Sequence, residues 1–164
     1  MAEAQVYPDG WLVWHGQWFR CALGRRGVRA HKREGDGATP EGLLVLRRVL
    51  YRGDRVRGLH AAVPCVPLGQ RDGWCDTPDS PDYNRLVRLP HRVHCEALWR
   101  ADGLYDVVGV LGWNDAPAVP GRGSAIFLHV ARGDYAPTDG CVALALPDLL
   151  KLLGEGLTGL EVGA

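Results

Sequence analysis

This sequence has no surplus charge of either sign: basic and acidic residues balance at nineteen each. That balance removes the electrostatic case for a nucleic acid or an anionic membrane as partner. No apolar run approaches the ~20 residues a membrane-spanning helix needs. Met1–Gly10 carries neither the basic nor the apolar segment of a secretory leader. The five cysteines, at 21, 65, 75, 95 and 141, show no Cys-x-x-Cys spacing, which speaks against a zinc ribbon or a thioredoxin-type dithiol. Their odd number leaves at least one thiol unpaired in any scheme within one chain. His91, His94 and Cys95 lie close together but lack a fourth ligand at a familiar spacing, so no metal is expected there.

What is present points to a turn-rich β protein. The 164 residues are 46% apolar, enough for one domain with its own core, and they include 22 Gly and 11 Pro. Short apolar or alternating runs predict strands over 11–14, 17–23, 28–31, 43–51, 105–111, 125–128, 142–146 and 158–162. Pro147–Leu153 predicts a helix, with Pro in its first turn and Asp148 at its positive end. Glu96–Trp99 is expected as a short helix. The tryptophans at 11, 14 and 18 are expected to fill a core or shield a sheet edge. Residues 60–100 hold five prolines that forbid long elements, and a loop of that length is expected to form a wall or lid of a site. Trp74, Tyr83, Asn84 and Arg85 within it are of the type that lines a peptide groove, and the alternative is that Trp74 and Tyr83 pin the loop to the sheet.

One stretch organises the rest. Ala125–Leu128 reads as a buried strand delivering His129, and a turn over Arg132–Pro137 follows. Thr138-Asp139-Gly140 then leads into Cys141 and a second apolar run. His129 and Cys141 thus stand at facing strand ends. A thiol of pKa about 8.5 is a modest nucleophile until a neighbouring imidazole removes its proton. Gly140 leaves room for a carbonyl and for backbone N–H groups aimed at an oxyanion. Cys75 is the rival nucleophile, but nothing beside it in sequence supplies a base.

These residues carry a resemblance. His129 followed by Thr138-Asp139-Gly140-Cys141-Val142-Ala143-Leu144 resembles the His…Ser-His-Gly-Cys-x-Arg signature of the L,D-transpeptidases (the YkuD-type catalytic domain). Thr39-Pro40-Glu41-Gly42 is similar to that family's Thr-Pro-x-Gly strand entry, and the likeness spans roughly residues 10–162. Three positions depart from it: Thr138 stands for Ser, Asp139 for the second His, and Ala143 for Arg.

The resemblance implies a mainly β fold, a sandwich or barrel with short helices and a C-terminal helix after the catalytic strand. It implies acyl transfer through a Cys141 thioester with His129 moving the proton and Thr138 orienting the loop, without cofactor or metal. The implied partners are peptidoglycan stem peptides as donor and acceptor, and the implied location is the periplasm or cell envelope. With no leader in this stretch, three routes stand open: a leader already removed, another export route, or work inside the cell. A monomer is expected. Candidate substrate contacts are Trp74, Tyr83, Asn84, Asn114, Arg122, Arg132 and Tyr135, with Gly112–Asp115 expected on the rim that carries His129. Asp139 is expected to meet a cation, Arg122 or Arg132, or the acceptor amine. Without the signature Arg, the carboxylate contact to a donor is weakened by about 1.5–3 kcal/mol. The donor position is therefore expected to shift from the third stem residue to the first, L-Ala. The alternatives are hydrolysis by the same pair, as an L,D-carboxypeptidase or amidase, and a non-catalytic wall-binding domain.

Overall fold

The computed structural model describes residues 2–163. The chain enters through β1 (Glu3–Tyr7), β2 (Trp11–Trp14) and β3 (Gln17–Ala22). Short β4 (Val28–Arg29) and β5 (Thr39–Pro40) precede the ten-residue β6 (Gly42–Tyr51), then β7 (Cys65–Pro67). A ribbon follows, of β8 (Asp72–Cys75), β9 (Leu86–Arg88) and β10 (Cys95–Ala97). The last part holds β11 (Val107–Gly112), β12 (Phe127–Val130), β13 (Val142–Leu144), helix α1 (Leu146–Gly154) and β14 (Gly159–Val162).

The large sheet runs β11-β12-β13-β3-β2-β1-β14-β6-β7, and β6 also pairs with β11. That extra pairing closes the sheet into a barrel and leaves β7 as an appendage on β6. Closure removes most of the unpaired strand edge that an open sheet would expose. Inside, Leu12, Leu44, Leu128 and Leu144 meet Leu149, Leu152 and Leu153 of α1. The helix sits there because its leucines fall on one face at helical spacing, while Lys151 turns outward to Glu155 at 2.8 Å.

A second, smaller core lies outside the barrel wall, beneath the β8–β10 ribbon. It contains Trp74, Leu98, Tyr105, Val108, Val110, Phe127 and Cys141. The period-2 alternation of β11 and β12 creates both cores: Val107, Leu111 and Leu128 point into the barrel, Val108, Val110 and Phe127 away from it. A strand buried on both faces reads as a continuous apolar run, as the sequence of β11 does.

The mainly β expectation and the C-terminal helix hold. Residues 96–99 are not a helix: Cys95–Ala97 is a strand, because its backbone pairs with β8 while Trp99 turns away to stack under Arg52. The strand β1 was not expected from its mixed composition; parallel pairing to β14 and antiparallel pairing to β2 supply its order. Of the tryptophans, Trp14 is buried, whereas Trp11 and Trp18 lie with Tyr7 on the outer face.

Candidate active site

β12 and β13 are parallel neighbours, with Leu128 opposite Val142 and His129 opposite Ala143. The register therefore sets Cys141 beside Phe127, and Phe127, His129, Cys141 and Ala143 all face outward from the barrel. The Cys141 thiol donates to the Ala125 carbonyl at 3.2 Å, and its sulfur accepts the Phe127 N–H at 3.4 Å. Two backbone contacts thus fix the rotamer of the thiol.

The loop before Cys141 is held from two sides. Thr138 N–H donates to Leu23 O, and Arg25 N–H donates to Thr138 O. The Thr138 hydroxyl donates to the Cys141 carbonyl at 2.7 Å and accepts the Gly140 N–H at 3.1 Å. Gly140 has φ +141°, and a Cβ there would lie 2.7 Å from Ala38 O. Glycine is required by both conformation and space. Its N–H is engaged by Thr138, so the oxyanion role expected for that group is not available to it.

His129 is buried, with Nδ1 at 2.9 Å from Val130 O. A carbonyl only accepts, so Nδ1 carries the proton and Nε2 keeps its lone pair. Burial lowers the His129 pKa to about 4, and nearby Arg100 adds to this. Burial pushes the Cys141 thiol up to about 12, helped by the negative charges of Glu96 and Asp139 and opposed by the Phe127 N–H and Lys32. At neutral pH the resting pair is thiol and neutral imidazole, not an ion pair.

A cleft of about 580 Å³ opens over this pair. Cys141, His129, Thr138, Asp139 and Ala143 line it on the barrel side. The facing wall comes from the middle of the chain: Asp76, Glu96, Arg100 and Tyr105. The Tyr105 ring stands edge-on to His129 at 5.3 Å and to Phe127 at 5.9 Å, and its hydroxyl donates to Glu96. Burial raises the Glu96 pKa, with the Tyr105 hydrogen bond and Arg100 working the other way. The expectation that residues 60–100 form a wall is met, but by other residues than those singled out.

Of the seven substrate contacts read from sequence, Arg132 lines this cleft. Trp74 is buried against Phe127 at 5.1 Å, and its Nε1 donates to Asn84 Oδ1. Asn84 donates in turn to the Trp113 and Asn114 carbonyls and accepts the Ala125 N–H. Tyr83 is buried, donating to Glu34 and accepting the Gly123 N–H. These three pin the middle segment to the barrel. Asn114 closes its own loop through Val119 and Gly123. Arg122 lines a separate depression beside Trp113, and the Tyr135 ring packs under Arg20. Residues 112–115 do not share the rim of His129. The antiparallel β11–β12 register puts His129 opposite Val108, so the end of β11 lies beyond Phe127, at the other end of β12. Asp139 pairs with Arg25 at 2.5 Å, not with Arg122 or Arg132.

All five cysteines are free. Cys75, the rival nucleophile, is fully buried opposite Cys95 in the ribbon. Glu96 and Tyr105 were not read as site residues. The one signal was a phenol and a carboxylate near buried strands, where each needs a partner.

No curated protein and no solved structure matches this chain significantly. A family model does, for the L,D-transpeptidase catalytic domain, over residues 2–162. The match runs from the first barrel strand to the last, and the chain belongs to the L,D-transpeptidase catalytic domain family.

Proposed function

We propose that this chain is a cysteine-dependent peptidoglycan L,D-transpeptidase that works as a monomer in the cell envelope, with Cys141 as nucleophile and His129 as the proton-transfer residue. The observation that carries the reading is the parallel β12–β13 register. It turns a buried thiol and an imidazole with a free Nε2 onto one face, under one cleft. In the first half-reaction the Cys141 proton passes to His129 as sulfur attacks the donor carbonyl. The Cys141 N–H meets the developing oxyanion, and the imidazolium returns the proton to the leaving amine. An acceptor amine then takes the acyl group from the thioester; water in its place gives the carboxypeptidase product.

Ala143 supports a shifted donor position. It lies beside His129 in the cleft, and it presents a methyl group where the signature has a guanidinium. Donors held by a terminal carboxylate find no cation at that point, which favours L-Ala of the first stem position as acyl donor. The test is acyl-enzyme mass with defined muropeptides. An adduct is expected in the unmodified protein and in Cys75→Ala, and none in Cys141→Ala. An adduct in Cys141→Ala overturns the nucleophile, and exclusive third-to-third cross-links overturn the donor shift.

A further inference from the structure

Cys75 and Cys95 stand directly opposite each other where β8 and β10 pair antiparallel. The Cys75 N–H donates to Arg85 O at 3.0 Å, and the Cys75 carbonyl accepts the Asn84 N–H at 2.8 Å. Both backbone groups of Cys75 therefore point to the β9 side, away from β10. That makes Cys75 and Cys95 a non-hydrogen-bonded pair of the ladder, with Cα atoms about 4.5 Å apart and side chains on one face at their closest approach. A disulfide needs Cα atoms about 4.4–6.8 Å apart, a separation this pair meets. The ladders offer no second pair of this kind: Cys21 faces Leu144, and Cys65 faces Val49.

The surroundings divide the two thiols by role. Cys95 is half-buried and open to an external partner, whereas Cys75 is fully buried behind it. Burial, and then the adjacent Cys75 thiol, push the Cys95 pKa up to about 11. Among the described residues no three metal-ligating side chains converge here, so the pair is not half of a metal site. Each cysteine is also followed by a residue that lines the cleft, Asp76 after Cys75 and Glu96 after Cys95. A covalent link between the cysteines would hold those two in fixed relation. It would also tie off residues 76–94, whose one regular element is the three-residue β9.

We propose that Cys75 and Cys95 close into a cross-strand disulfide, by exchange with an external disulfide, that staples the ribbon wall of the cleft. The bridge itself does not depend on the transpeptidase reading. That it is closed in the cell rests on the envelope location proposed above, because oxidising compartments preserve disulfides. In the first step Cys95 attacks one sulfur of the external disulfide, whose S–S bond breaks. The Cys95 proton passes to the sulfur that leaves, and Cys95 is left in a mixed disulfide. Cys75 then attacks the Cys95 sulfur, its own proton going to the second departing thiol. The S–S bond between the strands forms. Two protein thiols lose two electrons, and the external disulfide gains them as it becomes two thiols.

The experiment compares the full chain after incubation with glutathione disulfide and after full reduction. Each sample is unfolded, alkylated and mapped by mass spectrometry. All five thiols should be alkylated in the reduced protein. After oxidation the peptide holding Cys75 should be joined to the one holding Cys95. In Cys75→Ser the reaction should stop at a mixed disulfide of glutathione on Cys95. The oxidised protein should have the higher denaturant midpoint, and its amides over 76–94 should exchange more slowly. Cys95→Ala should remove both differences. The comparison of the two forms of the unmodified protein stands even where a variant misfolds. Failure to recover the 75–95 link, or equal midpoints in the linked and reduced forms, overturns the proposal. None of these readouts uses acyl transfer, so such a failure leaves the transpeptidase reading in place.

Discussion

The two walls of the cleft are built on different principles. The barrel wall brings together groups only twelve residues apart, His129 and Cys141, on adjacent strands of one ladder. Its polar atoms are few, buried and tied to backbone: Nδ1 to Val130, the thiol to Ala125 and Phe127. The facing wall draws Glu96 and Tyr105 from a separate ribbon and the turn before β11, and its contacts run between side chains. A ladder fixes position to the tolerance of hydrogen-bond geometry, which suits a proton transfer. A charged wall of side-chain contacts opening on the cleft suits a ligand that arrives and leaves.

The comparison breaks most visibly if the barrel wall can lose its imidazole. His129→Ala should slow acyl-enzyme formation by roughly 10²–10⁴-fold, read as single-turnover mass gain with a donor stem peptide. Retained speed would remove His129 from the chemistry. The same side chain gives the barrel wall an acid sensitivity. Its folded pKa, about 4, lies below the unfolded value near 6.5, so the unfolded state binds more protons between those limits. Stability from this group is full above pH 6.5 and is lost as pH falls through 4, by roughly 3 kcal/mol. Denaturant midpoints measured at pH 7 and pH 4 should show that loss in the unmodified protein, and show it removed in His129→Ala.

Gly140→Ala tests the loop between the two strands. The change puts a methyl group 2.7 Å from Ala38 O on a residue at φ +141°, with backbone on the far side and nothing flexible to yield. Strain of this kind costs about 1–3 kcal/mol, and relieving it would move Cys141 away from Ala125 and Phe127. A lower denaturant midpoint is expected together with slower acylation. A midpoint within error of the unmodified protein would mean that the loop bends without help from glycine.

The same contrast explains what the sequence made legible. β12, β13 and α1 announce themselves through local apolar period, and so the apposition of His129 and Cys141 could be read directly. β1 could not, because Glu3-Ala-Gln-Val-Tyr7 gains its strand character only from partners more than 150 residues away at one edge. The facing wall failed for the same reason. Trp74, Tyr83 and Asn84 have the chemistry of groove residues, yet their polar atoms are satisfied by Glu34, Gly123 and the 113–114 backbone, partners that no local pattern reveals. Glu96 sits three residues before Trp99, a spacing that reads as a helix, and only pairing with β8 turns it toward the cleft.

The smallest effect is expected at Asp139, the cleft carboxylate two residues before Cys141 and so the obvious candidate for the acceptor amine. Its side chain is 83% exposed and its partner Arg25 is 57% exposed, so water and salt screen the pair despite its short 2.5 Å contact. Exposed pairs of this kind contribute about 0.2–1 kcal/mol. Asp139→Asn should therefore shift the denaturant midpoint by no more than that. Arg25 would stay in place, because its backbone N–H is bonded to Thr138 O independently of the ion pair. Removing the charge should ease thiol ionisation slightly, since Asp139 ranks below burial and Glu96 among the influences that raise it. Acceptor use in Asp139→Asn should match the unmodified protein, read as cross-link yield at equal acyl-enzyme. A clear loss in Asp139→Asn would put the acceptor amine on the barrel wall, and the division of labour between the two walls would fail with it.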